Sequence, residues 1–225
     1  MSPTLANIYL HYGLDLWVKR VIGKEISGRI YLVRYCDDFI IGCTNEQAAE
    51  KVWKELGGRL KKFGLEISET KSRLIEFGLK AYAKSVRYSK KVKTFDFLGF
   101  THYMGKSRRG TAKLGRKTIG KRMRKSLVVL NDRLRNLRNM LPFHELHKHL
   151  CRVLKGYYNY YGFAGNSLTL SKFGHAVRRL WFKWLNSRSQ RKSISWDAFN
   201  LLLKRHSLPK PIIVKGYRWI YSSLM

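Results

Sequence analysis

The chain has 225 residues, of which 44% are hydrophobic and 13% aromatic, a composition that excludes a disordered segment and suffices to bury a core. Its formal net charge of +32 is self-repulsive without a polyanionic partner, and nucleic acid is the first candidate. No apolar run approaches the roughly 18 residues that span a bilayer, and Met1-Ser2-Pro3-Thr4-Leu5 lacks the basic region and cleavage site of a signal peptide, so no membrane partner is expected.

The charge is unevenly spread. Residues 1–100 hold 18 Lys/Arg and 11 Asp/Glu, a net of +7, whereas residues 101–225 hold 28 and 3, a net of +25. This division suggests a catalytic part joined to a nucleic-acid grip. Cys36, Cys43 and Cys151 form no even framework and no paired metal spacing, and read as reduced thiols of a cytoplasmic protein.

In chain order, Pro3 suits the first turn of a helix that Ser2 caps. Leu5, Ile8, Tyr9, Tyr12 and Leu16 then predict a buried stripe over residues 3–20. An apolar helix at residue 3 reads as the middle of a domain, so the chain is expected to be a fragment. Ile30-Tyr31-Leu32-Val33 and Phe39-Ile40-Ile41 read as strands on either side of Tyr35-Cys36-Asp37-Asp38, within a hairpin over residues 29–43. Two readings suit the acidic tip. Asp is a favoured turn residue, so it reads as a solvated turn. Adjacent carboxylates repel, and a hard divalent cation completed by substrate phosphates removes that penalty, so it also reads as a metal site for phosphoryl chemistry.

Residues 46–63 predict a helix capped at Thr44 or Asn45, with Ala48, Val52, Leu56 and Leu60 on one face and Gly64 as its stop. Residues 65–67 and 73–77 read as strands, and residues 94–103 alternate aromatic and polar as β structure does, giving an α+β unit with an antiparallel sheet. Residues 104–118, with Gly105, Gly110, Gly115 and six Lys/Arg, read as a flexible basic connector. Leu127, Leu130, Leu134, Leu137 and Leu141 form a helical stripe ended by Pro142, and helices follow over 143–161, 168–187 and 195–205. His144, His147 and His149 are expected on a polar helix surface, without the partners of a zinc site.

Some residues carry two readings. Lys71 suits a solvated strand end. Phe97, Leu98 and Phe100 suit a sheet core. The Tyr157–Tyr161 run, interleaved with Lys155 and Asn159, suits helix core or base stacking. Arg178, Arg179, Lys183 and Arg188, with Arg191 and Lys192, form either a solvated face or an RNA-facing one backed by Trp181 and Trp184.

Four motifs then stand in order: Ser2 to Leu10, Tyr35-Cys36-Asp37-Asp38, Gly64 to Lys71, and Phe97-Leu98-Gly99-Phe100. Together they resemble the reverse transcriptases encoded by bacterial group II introns. The segment from Gly156 to Gly162 and on through Arg178 to Asn186 resembles the maturase, or thumb, domain of the same proteins. The resemblance implies an α+β fold: a partial right-hand polymerase palm over 1–103, the basic linker at 104–118, and an all-α thumb, the maturase-specific domain, over 119–225. It implies RNA-directed DNA polymerisation, with Asp37 and Asp38 at catalytic Mg²⁺. Lys71 would protonate the leaving pyrophosphate, as a positioned ammonium can. Ser2, Pro3, Ala6, Asn7 and Tyr35 would lie near nucleotide and template, and Phe97 to Phe100 would grip the primer. Lys155, Tyr157, Asn159, Arg178, Arg179, Lys183 and Arg188 are the expected RNA contacts.

The expected partners are group II intron RNA and an RNA template with its DNA primer, together with a missing N-terminal half or a second copy. Relative to the family, the fingers and a first palm strand with a further metal-binding Asp are not in this sequence, so the chain alone is expected not to polymerise DNA. The alternatives are a non-enzymatic RNA-binding splicing cofactor and a degenerate remnant. No clustered Cys and His of an integration endonuclease follow residue 205.

Overall fold

A computed structural model of the chain describes residues 3–107, 109–188, 193–214 and 216. The chain divides into two compact units, Met1–Lys93 and Thr94–Met225.

In the first unit, α1 (Pro3–Leu10) runs on through π-helical turns at His11–Asp15 and Val18–Ile22 into the short α2 (Gly23–Glu25). The wide turns shift the helical phase, and this overturns the expected stripe. Leu14, Trp17, Val18 and Ile22 are buried, whereas Leu5, Ile8, Tyr9 and Tyr12 are exposed and Leu16 is partly so. The strand β1 (Ile30–Tyr35) pairs antiparallel with β2 (Asp38–Cys43), Tyr35 opposite Asp38. Leu32, Phe39, Ile41 and Cys43 pack on the core, while Tyr31, Val33 and Tyr35 are exposed.

The other half of this core comes from α3 (Glu46–Lys61), which lays Ala48, Val52, Leu56 and Leu60 against the first helix, each leucine worth about 2 kcal/mol in burial. Asn45 is the cap: its side chain accepts from the Ala48 amide at 2.7 Å. Gly64, at φ 65°, turns the chain out of the helix, with the Leu65 amide donating to Leu60 O and the Gly64 amide to Lys61 O, each at 3.0 Å. The strands expected at 65–67 and 73–77 join no ladder among the described residues. Short apolar runs there bury Leu65 and Ile67 against the core without pairing. A helix not anticipated from the sequence, α4 (Leu79–Tyr88), follows.

The second unit opens with β3 (Phe95–Phe97), β4 (Phe100–Lys106) and β5 (Ala112–Thr118), an antiparallel sheet in the order β3-β4-β5. Two expectations are corrected here. The acidic hairpin and residues 94–103 form two separate sheets and not one, and the second sheet lies in the same unit as the helices that follow residue 119. Residues 104–118 are the arms and turn of a hairpin and not a connector. The turn is closed by the Ser107 amide donating to Thr111 O at 2.7 Å.

Four helices follow much as periodicity predicts: α5 (Gly120–Leu137), α6 (Phe143–Tyr161), α7 (Ser167–Asn186) and α8 (Trp196–Arg205), the last capped by Ser195. Both α5 and α6 pack on α7. The core gathers Leu130 and Leu134, Leu146, Leu150 and Leu154, Phe173, Val177 and Trp181, and Phe199, one or more residues from each helix. Phe100, from the sheet, joins the same core. Asn166, 1% exposed, ties sheet to helices: its Oδ1 accepts from the Thr118 amide at 3.0 Å, and its Nδ2 donates to Thr118 Oγ1 and Tyr161 O, each at 2.9 Å.

Of the three clustered histidines only His144 is exposed. His147 lies over Phe143 and Trp181, because its helical phase matches the core face and not the polar one. No helix among the described residues is long and apolar enough to cross a membrane.

Candidate functional site

The acidic hairpin turns through Cys36 and Asp37. Cys36 takes φ 53°, a left-handed value uncommon for a side-chain-bearing residue. The turn leaves Asp37 and Asp38 exposed. The hairpin is held by Arg34, on the strand leading into the tip. Its Nε and Nη2 form a fork on Asp15, at 2.8 and 2.7 Å, while Nη1 donates to Asn7 Oδ1 at 2.8 Å and to Cys36 O at 3.1 Å. One guanidinium thus binds the first helix at two points and the turn backbone at a third. The Arg34 hydrogen bonds hold the Asp15 carboxyl below its usual range against the opposing effect of burial, and Arg34 is raised in return.

That arrangement decides the electrostatics of the tip. The nearest arginine in sequence is committed to Asp15, and among the described residues no Lys, Arg or His pairs with Asp37 or Asp38. Two open carboxylates on a fixed turn fit a hard cation that takes its remaining oxygens from water and phosphate. No group of three or more His, Cys, Asp or Glu is assembled for a metal among the described residues.

Of the residues expected beside nucleotide and template, Asn7 is bound to Arg34, Pro3 and Tyr35 are exposed, and Ala6 is partly exposed. Ser2 lies outside the described residues. Lys71 is exposed in a turn, its amide donating to Ser68 O at 3.1 Å.

The Phe97-Leu98-Gly99-Phe100 segment is the tight turn between β3 and β4. Leu98 at φ 48° and Gly99 at φ 84° give it the two left-handed centres of a type I′ turn. The turn is docked within its own unit: Tyr160 donates to Leu98 O at 3.2 Å, the Ile119 amide to Gly99 O at 3.0 Å, and Phe100 meets Tyr161 and Phe163 edge-on. Phe100 is therefore core, while Phe97 and Leu98 stay partly exposed.

The expected RNA contacts divide. Lys155, Asn159, Arg179 and Lys183 are exposed. Tyr157 is not a contact surface: it is buried and stacked on Phe173 at 3.5 Å between centroids, because its phase on α6 is that of Leu150 and Leu154. Arg178 donates to Asn200, and Arg188 to Leu141 O, so both are half-buried braces between elements. Arg191 and Lys192 lie outside the described residues. The sequence reading missed Arg152, which extends the Lys155–Asn159 face of α6, and Lys172 and His175, which line a shallow groove with Arg179 on α7. Their spacing of three and four residues was the available signal. Arg34 and Asp15 were also missed, being 19 residues apart.

Comparison with known families gives two matches. The reverse transcriptase (RNA-dependent DNA polymerase) family matches residues 1–102, and the group II intron, maturase-specific domain matches residues 117–201. The gap between the two matches falls in the β4–β5 hairpin. Comparison with curated proteins gives no match. With an open acidic turn in its reverse transcriptase region and basic helices in its maturase region, the chain belongs to the group II intron reverse transcriptase/maturases.

Proposed function

We propose that this chain serves RNA-directed DNA synthesis and RNA binding for a group II intron, with Asp37 and Asp38 as the metal-holding pair. The observation that carries the reading is the open acidic tip, two carboxylates with no cationic partner among the described residues while Arg34 is spent on Asp15. Mg²⁺ bound there would neutralise charge on the oxygens of the attacking primer hydroxyl and the nucleotide phosphates. The chain's own part is to fix the turn: Arg34 holds the Cys36 carbonyl and so sets where the two carboxylates stand. Lys71 keeps its ammonium in solvent and would donate a proton to departing pyrophosphate. Arg152, Lys155 and Asn159 on α6, with Lys172, His175, Arg179 and Lys183 on α7, supply two exposed basic stripes for intron RNA.

A carboxylate pair is a sparse cage for two Mg²⁺ ions, which supports the reading that a further acidic ligand is needed for synthesis. Electron paramagnetic resonance of Mn²⁺ with the full chain and a primer–template tests the metal pair: bound Mn²⁺ is expected, and its loss in Asp37→Asn. Retention of the signal in Asp37→Asn and Asp38→Asn alike would remove the site. Primer extension by the purified chain is expected to be absent, and robust synthesis would overturn that part.

A second reading, a splicing cofactor without catalysis, is favoured by the basic stripes alone. It predicts that Asp37→Ala leaves intron RNA binding and splicing support intact.

A further inference from the structure

We propose that the outer face of the β4–β5 hairpin is a stacking site for single-stranded nucleic acid, with Tyr103 as its platform. The inference rests on the reading of this chain as a nucleic-acid-binding protein and adds a surface outside the maturase helices. Strand alternation and register put Thr101, Tyr103 and Gly105 on one face, opposite Lys117, Gly115 and Lys113. The other face carries Phe100, which enters the core, and Arg116, whose guanidinium lies 5.3 Å from the Phe163 ring centre.

The glycines fix the posture of Tyr103. A Cβ on Gly115 would stand 2.3 Å from Tyr103 Cζ, and one on Gly105 3.3 Å from its Cε2. The ring therefore lies flat across β5 on bare backbone, with Gly115 buried beneath it while Tyr103 stays partly exposed. Lys117 Nζ is 5.6 Å from the ring centre.

Any flat side chain would cover a glycine, but the cations beside this one need another cause. On its own face Lys117 and Lys113 flank the ring, with the nearest carboxylate, Asp96, held by the Thr101 hydroxyl. Lys106 and Arg109 are exposed at the hairpin tip. An aromatic plane flanked by lysines suits a nucleotide whose base stacks and whose phosphates are neutralised on either side. An unpaired strand offers that base face, whereas in a duplex neighbouring base pairs cover it.

Fluorescence anisotropy with the full chain tests the site, using a short single-stranded RNA, the DNA of the same sequence and a blunt RNA duplex. Tyr103→Leu is expected to weaken single-strand binding about tenfold, Tyr103→Phe to preserve it, and duplex binding to stay unchanged. Loss on RNA alone or on both single strands tells which strand the platform serves. Single-strand binding unchanged in a folded Tyr103→Leu, or an equal loss on duplex, overturns the platform while leaving the nucleic-acid reading in place. No binding of any probe by the wild type sinks both. Should Tyr103→Leu fail to fold, photo-crosslinking of 4-thiouridine RNA to the wild type decides: adducts within the peptide bearing Tyr103 support the site, and their absence overturns it.

Discussion

The β1–β2 and β3–β4 hairpins each turn through two residues, and each puts a side chain where glycine would be easier: Cys36 at φ 53° and Leu98 at φ 48°. Their tips are treated in opposite ways. The first leaves Asp37 and Asp38 in solvent and is steadied from behind by Arg34, which binds Asp15, Asn7 and the Cys36 carbonyl. The second is sunk against Tyr160, Tyr161 and Phe163, with Gly99 and Phe100 buried. A tip held by its base keeps its charges open. A tip that only has to stay in place is held by burial. The two devices fail differently, and that difference is measurable.

The largest effect is expected at the buried tip. Phe100→Ala removes a ring that is 6% exposed and is expected to destabilise the second unit by about 3–5 kcal/mol in urea unfolding. Tyr35→Ala, at the exposed edge of the other tip, is expected to cost under about 1 kcal/mol. Equal costs would erase the contrast between the hairpins.

Arg34→Leu comes next, at about 2 kcal/mol, because the Arg34 and Asp15 side chains are only 12% and 25% exposed and Asp15 would lose its partner. The pH dependence carries a sign. Asp15 has a lowered folded pKa, so its contribution is present above the unfolded value near 4 and is lost as pH falls through the folded one. The stability gap between wild type and Arg34→Leu is therefore expected to narrow in melts taken near pH 3 compared with pH 7. A constant gap would mean that Arg34 acts by packing alone.

A smaller effect distinguishes the second sheet. Burial, with Arg116 beside it, lowers the His102 pKa to about 4, and the ring stacks on Phe95 at 4.8 Å. A neutral histidine in the fold that charges on unfolding weakens stability as pH falls from its ordinary value near 6.5 toward 4. With solvent screening the loss by pH 5 is about 1 kcal/mol, and His102→Gln is expected to abolish it, as thermal melts at pH 7 and pH 5 would show.

How far such features could be read from the sequence depends on whether their cause is local. The helices α3, α6, α7 and α8 were legible because apolar spacing, the cap at Asn45 and the stop at Gly64 all act within a few residues. The acidic turn was legible for the same reason. The first helix misled because it is apolar on several sides, and π-helical turns moved the buried face from Leu5 and Tyr12 to Leu14 and Trp17. Tyr157 and Tyr160 differ by three residues, and only packing revealed that one stacks on Phe173 while the other reaches Leu98. Glycines at 105 and 115 read as flexibility, yet they make room for Tyr103, a pairing across strands that local sequence does not signal. Arg34 could not be matched to Asp15 without the fold.

The smallest expected effect returns to the turns. A left-handed residue with a side chain costs about 1 kcal/mol against glycine, partly offset by the extra freedom that glycine brings to the unfolded chain. Cys36 is partly exposed at a turn held by its neighbours, so Cys36→Gly is expected to raise stability by about 0.5 kcal/mol or less. Leu98 sits in the same backbone region, but its side chain is partly buried in a docked turn, so Leu98→Gly trades relief of strain for lost packing and is expected to be neutral or destabilising. Opposite signs for one chemical change would separate a tip fixed by its backbone and Arg34 from a tip fixed by what it buries. A gain of equal size at both positions would mean that Leu98 contributes nothing by packing, and that the second turn is held by the carbonyl contacts of Leu98 and Gly99 alone.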